Sequence, residues 1–226
     1  MPSLVQKLSI DCQYGVGGLT SGLVAYWNLN ETSGNRADAL GLFPLTNNGS
    51  VGYTTGLIGN AANFTGSQNL TNSSIAFGST YTISCWVYVP AGGGPFGNTC
   101  AWGIGGTSTP QIALTMYNTA VFAFKMYVNG TNGAIAGVSY NTWHHCVFTY
   151  SDPYGILYVD NSKIDVTPIN NAGAETTAIS VGSFVGNTQY ITSGRIDEFG
   201  VWNRVLSSAE ISSLYNSGVG KTYPFS

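Results

Sequence analysis

The strongest constraint on this chain is the recurrence of short apolar runs of period two, each closed by a turn signal. From Tyr81 to Val89, Ile83, Cys85, Val87 and Val89 share one face while Ser84, Trp86 and Tyr88 share the other, and the segment PAGGGP from Pro90 to Pro95 ends the run. Val121 to Val128 repeats the pattern, with Phe122, Phe124, Met126 and Val128 opposed to Ala123, Lys125 and Tyr127. Trp143–Tyr150 and Ile156–Val159 flank Ser151–Gly155 and read as a hairpin. Asp160, Asn161 and Ser162 then turn the chain into Lys163–Val166, with Asn161 expected at positive φ, which Asn tolerates. Thr177–Val185 and Ser193–Asn203 supply two further strands. Short strands at this spacing define an all-β sandwich or barrel. One helix is expected: Ser207 and Glu210 form a capping box, Ile211, Leu214 and Tyr215 an apolar stripe, and Gly218 a stop, placing a short lid on the sheet edge.

The length, 226 residues, suits one domain of the larger all-β kind. We divide it into an arm or linker at residues 1–20, marked by Gly15, Gly17 and Gly18, and a domain at residues 21–226. Only 8% of residues are charged, and seven basic residues spread from Lys7 to Lys221 cannot form a phosphate-tracking stripe, so no nucleic-acid partner is expected. The apolar content of 43% excludes a disordered chain. No apolar run reaches the roughly 18 residues that span a bilayer, so no membrane insertion is expected, and the N-terminus lacks a secretory signal pattern. The four cysteines form no Cys-x-x-Cys pair, which argues against zinc, and Cys85 and Cys146 read as small buried hydrophobes.

Six segments together are similar to the laminin-G-like domains of the concanavalin A-like lectin/glucanase superfamily. GLVAYWNLNETSG from Gly22 to Gly34 resembles the family's opening strand and turn, and GNAANFTG from Gly59 to Gly66 its second signature. TISCWV from Thr82, WHHCVFTY from Trp143, LYVDN from Leu157 and RIDEFGVWNRVLSSAEI from Arg195 follow in the family's order. The resemblance implies a jelly-roll sandwich of two antiparallel, curved sheets. Two positions depart from the family: Ala37–Gly41 loses a glycine-rich continuation, and Asn161 stands where glycine is usual.

The resemblance also implies a structural Ca²⁺ ion between the first loop and the last strand. Asp38 matches the loop acid, Gly41 lies where a backbone carbonyl would serve, and Asp197 matches the acid of the last strand, with Glu31 and Glu198 as further ligand candidates. With only ten carboxylates in the chain, such positions carry weight. The alternative is that Asp38 makes a turn hydrogen bond and Asp197 pairs with Arg195 or Arg204. Asp197 and Glu198 point to opposite faces of a strand unless a bulge intervenes.

Catalytic patterns are missing. A glucanase strand carries two carboxylates on one face about 5–5.5 Å apart, and neither Asp197 with Glu198 nor Asp160 with Asp165 meets that requirement. His144 and His145 are neighbours on a strand, so they cannot chelate together, and one is expected packed and the other exposed. No enzyme activity is expected. Sugar binding needs aromatic rings in loops with amides nearby, and Trp102, Tyr117, Tyr154 and Tyr190 flank turns close to Asn98, Asn118 and Asn187. The expected protein is a non-catalytic, adhesive or carbohydrate-binding module. Its expected setting is a virion surface, as a head decoration, fibre or tail component of a phage, or else an extracellular or cell surface. Glycans or other virion or cell-surface proteins are the expected partners, with homo-oligomers compatible. The competing expectation is a purely structural capsid or assembly protein without a glycan ligand.

Overall fold

The computed structural model describes residues 18–91, 99–105, 112–118, 122–128, 131–168, 178–186, 190–191 and 193–225. Most of the expected arm, residues 1–17, lies outside them. Its last residues belong to the fold: Leu19 is buried, and its carbonyl accepts the indole N–H of Trp202 at 2.6 Å.

The strands are β1 (Leu23–Trp27), β2 (Thr46–Asn48), β3 (Gly52–Thr55), β4 (Asn60–Phe64), β5 (Asn69–Asn72), β6 (Thr80–Tyr88), β7 (Thr99–Ile104) and β8 (Ile112–Asn118). They continue with β9 (Phe122–Val128), β10 (Thr131–Gly137), β11 (Trp143–Ser151), β12 (Tyr154–Val159), β13 (Ser162–Pro168), β14 (Ile179–Val181) and β15 (Gly194–Trp202). Among the described residues they form two antiparallel sheets. The eight-stranded sheet runs β13-β12-β11-β6-β15-β4-β3, with β1 also paired to β15, and the seven-stranded sheet runs β10-β9-β8-β7-β14-β5-β2. This is the expected all-β jelly-roll sandwich.

The period-two pattern decides which side chains meet. On the inner face of the eight-stranded sheet, Ile83, Cys85 and Val87 lie beside Cys146 and Phe148, and β6 and β11 pair residue for residue from Trp143 opposite Tyr88 to Ser151 opposite Thr80. From the other sheet, Leu114, Met116, Phe124 and Met126 close the core. Cys85 and Cys146 are free thiols in this interior, and Cys100 is a third free thiol, buried with Ala113 and Phe184 in a separate cluster. Asp160 and Asn161 both take positive φ, 50° and 64°, so the β12–β13 hairpin has the two-residue form with which Asp and Asn are compatible.

The outer face of the eight-stranded sheet is also apolar, and a third layer covers it. Helix α1 (Ser208–Tyr215) carries the expected capping box on Ser207 and Glu210. It ends at Asn216, in the left-handed region at φ 46°, two residues before the expected Gly218. Ile211 and Leu214 pack against Tyr26, Val147, Trp202 and Leu206, so the helix lies on the sheet face and not on its edge. Large apolar groups on that face need a cover, and an edge position would leave them in water. At one side of the sandwich β10 and β13, the end strands of the two sheets, lie against each other.

Candidate functional site

β15 carries the acids singled out in the last motif. Asp197 pairs with Trp86 and Gly200 with Ser84, so two residues of β15 stand opposite one of β6, and Glu198 sits at φ 49°. This bulge removes the expected alternation and brings Asp197 and Glu198 to the same, outer side. Asp197 Oδ2 accepts the N–H groups of Leu57 and Ile58 at 2.8 and 3.1 Å, and Oδ1 that of Glu198 at 2.9 Å. Gly56 permits this approach, since a Cβ there would lie 2.5 Å from Asp197 Oδ2. Tyr26 donates its hydroxyl to Glu198 Oε2 at 2.5 Å. Burial pushes the Asp197 carboxyl up to about 7 despite three N–H donors, and burial pushes Glu198 up to about 8 against the hydrogen bond from Tyr26.

The carboxylates expected to hold calcium do not fit that ion. Asp38 is buried and accepts four backbone N–H groups: Tyr26 and Leu40 on Oδ1 at 2.9 and 3.1 Å, Leu42 and Phe43 on Oδ2 at 3.0 Å each. Two donors per oxygen fill its lone-pair directions. Asp197 organises a different loop, at Leu57 and Ile58. Glu31 accepts the Ala37 N–H at 2.6 Å, Glu198 is held by Tyr26, and Gly41 donates to the Asp38 carbonyl at 2.8 Å in an exposed turn. Among the described residues no three His, Cys, Asp or Glu side chains are grouped for a metal. The expected pairing with Arg195 or Arg204 is not formed either: Arg195 stacks over Tyr88 at 4.6 Å, and Arg204 binds Glu210 at 2.6 Å.

A groove of about 680 Å³ opens where β10 meets β13, walled by Val138, Val159 and Ile164. His144 and Asp160 lie in it. His144 Nδ1 is 2.7 Å from Asp160 Oδ2, and Nε2 is 3.0 Å from the Ser139 carbonyl and 3.3 Å from Ser139 Oγ. A carboxylate and a carbonyl can only accept, so this arrangement favours the doubly protonated, imidazolium form of His144. Burial pulls its pKa down, but the Asp160 bond and charge and the Ser139 carbonyl outweigh it and raise it above 6.5. In the imidazolium form Nε2 has no lone pair to take a proton from Ser139, and the Ser-His-Asp grouping acts as a clamp. His145 points to the other face, as expected, but both histidines are buried.

Of the aromatic and amide residues expected to bind a ligand, Trp102, Tyr154 and Tyr190 have described side chains. Trp102 is a core residue on β7, 6.1 Å from the Phe148 ring. A bulge after Cys100 turns it inward, and Gly103 is not a turn marker: it lets the Phe184 backbone cross the strand, where a Cβ would meet it at 3.2 Å. Tyr154 is exposed at the start of β12, and Tyr190 is half-buried in a bridge to Ser183. Tyr117 and Asn118 are on β8, their side chains outside the described set, as are residues Asn98 and Asn187.

What the motif reading missed is a polar cleft of about 340 Å³ between Thr32–Asn35 and Ser50–Gly52. Arg36, fully buried, lies beneath it and donates to the carbonyls of Gly34, Val51 (2.9 Å) and Gly52 (3.1 Å). Asn47 ties the same walls, donating to Gly34 and Val51 at 2.9 and 3.0 Å and accepting the Val51 N–H at 2.8 Å.

A family model described as the concanavalin A-like lectin/glucanases superfamily matches residues 61–212, and the chain belongs to that superfamily. No curated protein sequence matches it. Among solved structures, domain 4 of AbnA, an extracellular GH43 arabinanase from Geobacillus stearothermophilus solved with arabinotriose, superposes with a TM-score of 0.66 at 16% identity, over 84% of this chain and 96% of that one. Trypanosoma rangeli sialidase in complex with sialic acid gives 0.70 at 14% identity, over 89% of this chain but 34% of the sialidase. The binding domain of Paraclostridial Mosquitocidal Protein 1 gives 0.65 at 19% identity, over 87% of this chain and 52% of that one. At these identities the likeness is one of fold.

Proposed function

We propose that this protein is a non-catalytic carbohydrate-binding module. The observation that carries the reading is where its charges lie. Among the described residues only Asp152 and Lys163 are charged side chains at exposed positions, while Arg36, Asp38, Lys125, Asp197 and Glu198 are buried. The remaining surface offers mainly hydroxyls, amides and backbone groups, which hydrogen-bond to sugar hydroxyls without desolvating an ion. The neighbour solved with arabinotriose shows that a domain of this shape accommodates a neutral oligosaccharide. The absence of catalysis rests on the state of the acids: Asp197 and Glu198 are sealed beneath the outer layer, and Asp160 is held by His144.

The setting we propose is a virion or cell surface, where many copies convert a weak single-site affinity into avidity. A glycan array probed with the full chain tests the reading. Binding to neutral glycans that persists at high salt is expected, because no ion pair carries it. A blank array together with ordered multimers in sedimentation would replace the module by a structural assembly protein.

A further inference from the structure

We propose that the cleft between Thr32–Asn35 and Ser50–Gly52 is the subsite that receives one end of a saccharide, and that it selects neutral sugars over carboxylated ones. The proposal rests on the carbohydrate-binding reading and gives it a place. The cleft's volume of about 340 Å³ lies at the lower end of small-molecule sites.

Its walls come from two segments that the fold has no local reason to hold together. Burying a guanidinium costs several kcal/mol unless its hydrogen bonds are made, and Arg36 makes them across the cleft, to Gly34 on one wall and to Val51 and Gly52 on the other. Asn47 repeats the connection, and its own N–H donates to Asn35 Oδ1 at 3.0 Å. The concave shape is therefore set before any ligand arrives, which lowers the ordering cost of binding. The groups left facing solvent are the hydroxyls of Thr32, Ser33 and Ser50 and the amide nitrogen of Asn35, all on exposed residues. The hydroxyls both donate to and accept from sugar hydroxyls, and the amide nitrogen donates. Tyr53, next along β3 from Gly52, is 50% exposed.

Selection against carboxylates follows from the same brace. Among the described residues the cation beneath the cleft is Arg36, its two terminal nitrogens are committed to main-chain carbonyls, and its Nε, buried and without a hydrogen-bond partner, faces the Glu31 carboxylate at 4.0 Å. An entering carboxylate would lose hydration and meet a buried guanidinium that already faces the Glu31 carboxylate.

The test uses the full chain with lactose, cellobiose and arabinobiose as neutral probes and sialyllactose as the carboxylated one. Expected are amide shifts at residues 32–35 and 50–52 on titration with at least one neutral probe, and weaker binding of sialyllactose than of lactose. The paired variant Thr32→Val with Ser33→Ala removes two exposed hydroxyls and is expected to weaken that binding about tenfold with an unchanged melting temperature. Asn35→Asp, which keeps the acceptor to Asn47 and removes the free donor, is expected to do the same. Ligand shifts elsewhere, or full affinity in both variants, would overturn the cleft and leave the carbohydrate reading standing. Tighter binding of sialyllactose would overturn the selectivity. Failure of every probe here and of every glycan on the array would overturn both readings.

Discussion

His144 and His145 are consecutive on β11 and are both buried, yet they belong to opposite electrostatic regimes. His144 faces the seam between the sheets, where Asp160 and the Ser139 carbonyl favour its charged form. His145 faces the outer layer, stacked 4.9 Å from Trp86 and 6.1 Å from Tyr215, where burial drives its pKa down to about 3 despite the pull of Asp160. The same layer raises Asp197 and Glu198. Burial alone does not set the charge state; the acceptors within reach do. The outer layer is an apolar cover in which burial shifts ionisable groups toward their neutral forms, and the seam favours an ion pair in a groove open to solvent.

The sharpest break of this contrast is to open the sealed side. Trp202→Ala removes a fully buried indole and its bond to Leu19, and a loss of about 3–5 kcal/mol in urea unfolding is expected. Next is Asp38→Asn, which strips two acceptor sites from four N–H donors and is expected to cost about 2–3 kcal/mol, while EDTA leaves the melting temperature of the parent chain unchanged. A chelator-dependent shift would restore calcium to the account.

Glu198→Gln works in the opposite direction. A carboxyl raised from 4.5 to about 8 favours its protonated form in the fold, so its contribution is full at low pH and is lost as pH rises from 4.5 through 8. The amide cannot ionise. A gain on the order of 2 kcal/mol at pH values above that window, and a flatter stability profile, are expected from denaturant melts.

On the seam side His144→Gln is expected to cost about 1 kcal/mol below pH 6.5, where the ion pair is complete, and progressively less as pH rises through the raised value of the native imidazole. His145 has the reverse sign, since its contribution falls as pH drops from 6.5 toward 3. Imidazole NMR titrations separate the two, and a His144 that titrates below 6.5 would refute the clamp. The smallest effect belongs to Tyr154→Ala, at an exposed hairpin end. A change within about 0.5 kcal/mol is expected in thermal melts, and none in glycan affinity.

The alternation of β6, β9 and β11, the β12–β13 turn and the capping box of α1 were all legible, because each is a local pattern with a local cause. The candidate site was not. Trp102 looked like a loop aromatic because Gly103 and Gly105 follow it, and only the crossing of Phe184 shows why a strand needs Gly103 there. The bulge at Glu198 was recognised as a condition and not as a fact, since neither its φ nor its register is written in two adjacent acids. Arg36 gave no signal, because its acceptors at Val51 and Gly52 are main-chain carbonyls 15 and 16 residues away.

The sequence by itself determined an all-β sandwich, its inward faces and a chain with few charges, because period and composition are properties of neighbours along the chain. Tertiary structure decided where those charges went: beneath a cleft, into a bulge and across a seam. Each placement depends on acceptors that only the packing of distant segments brings within hydrogen-bond reach.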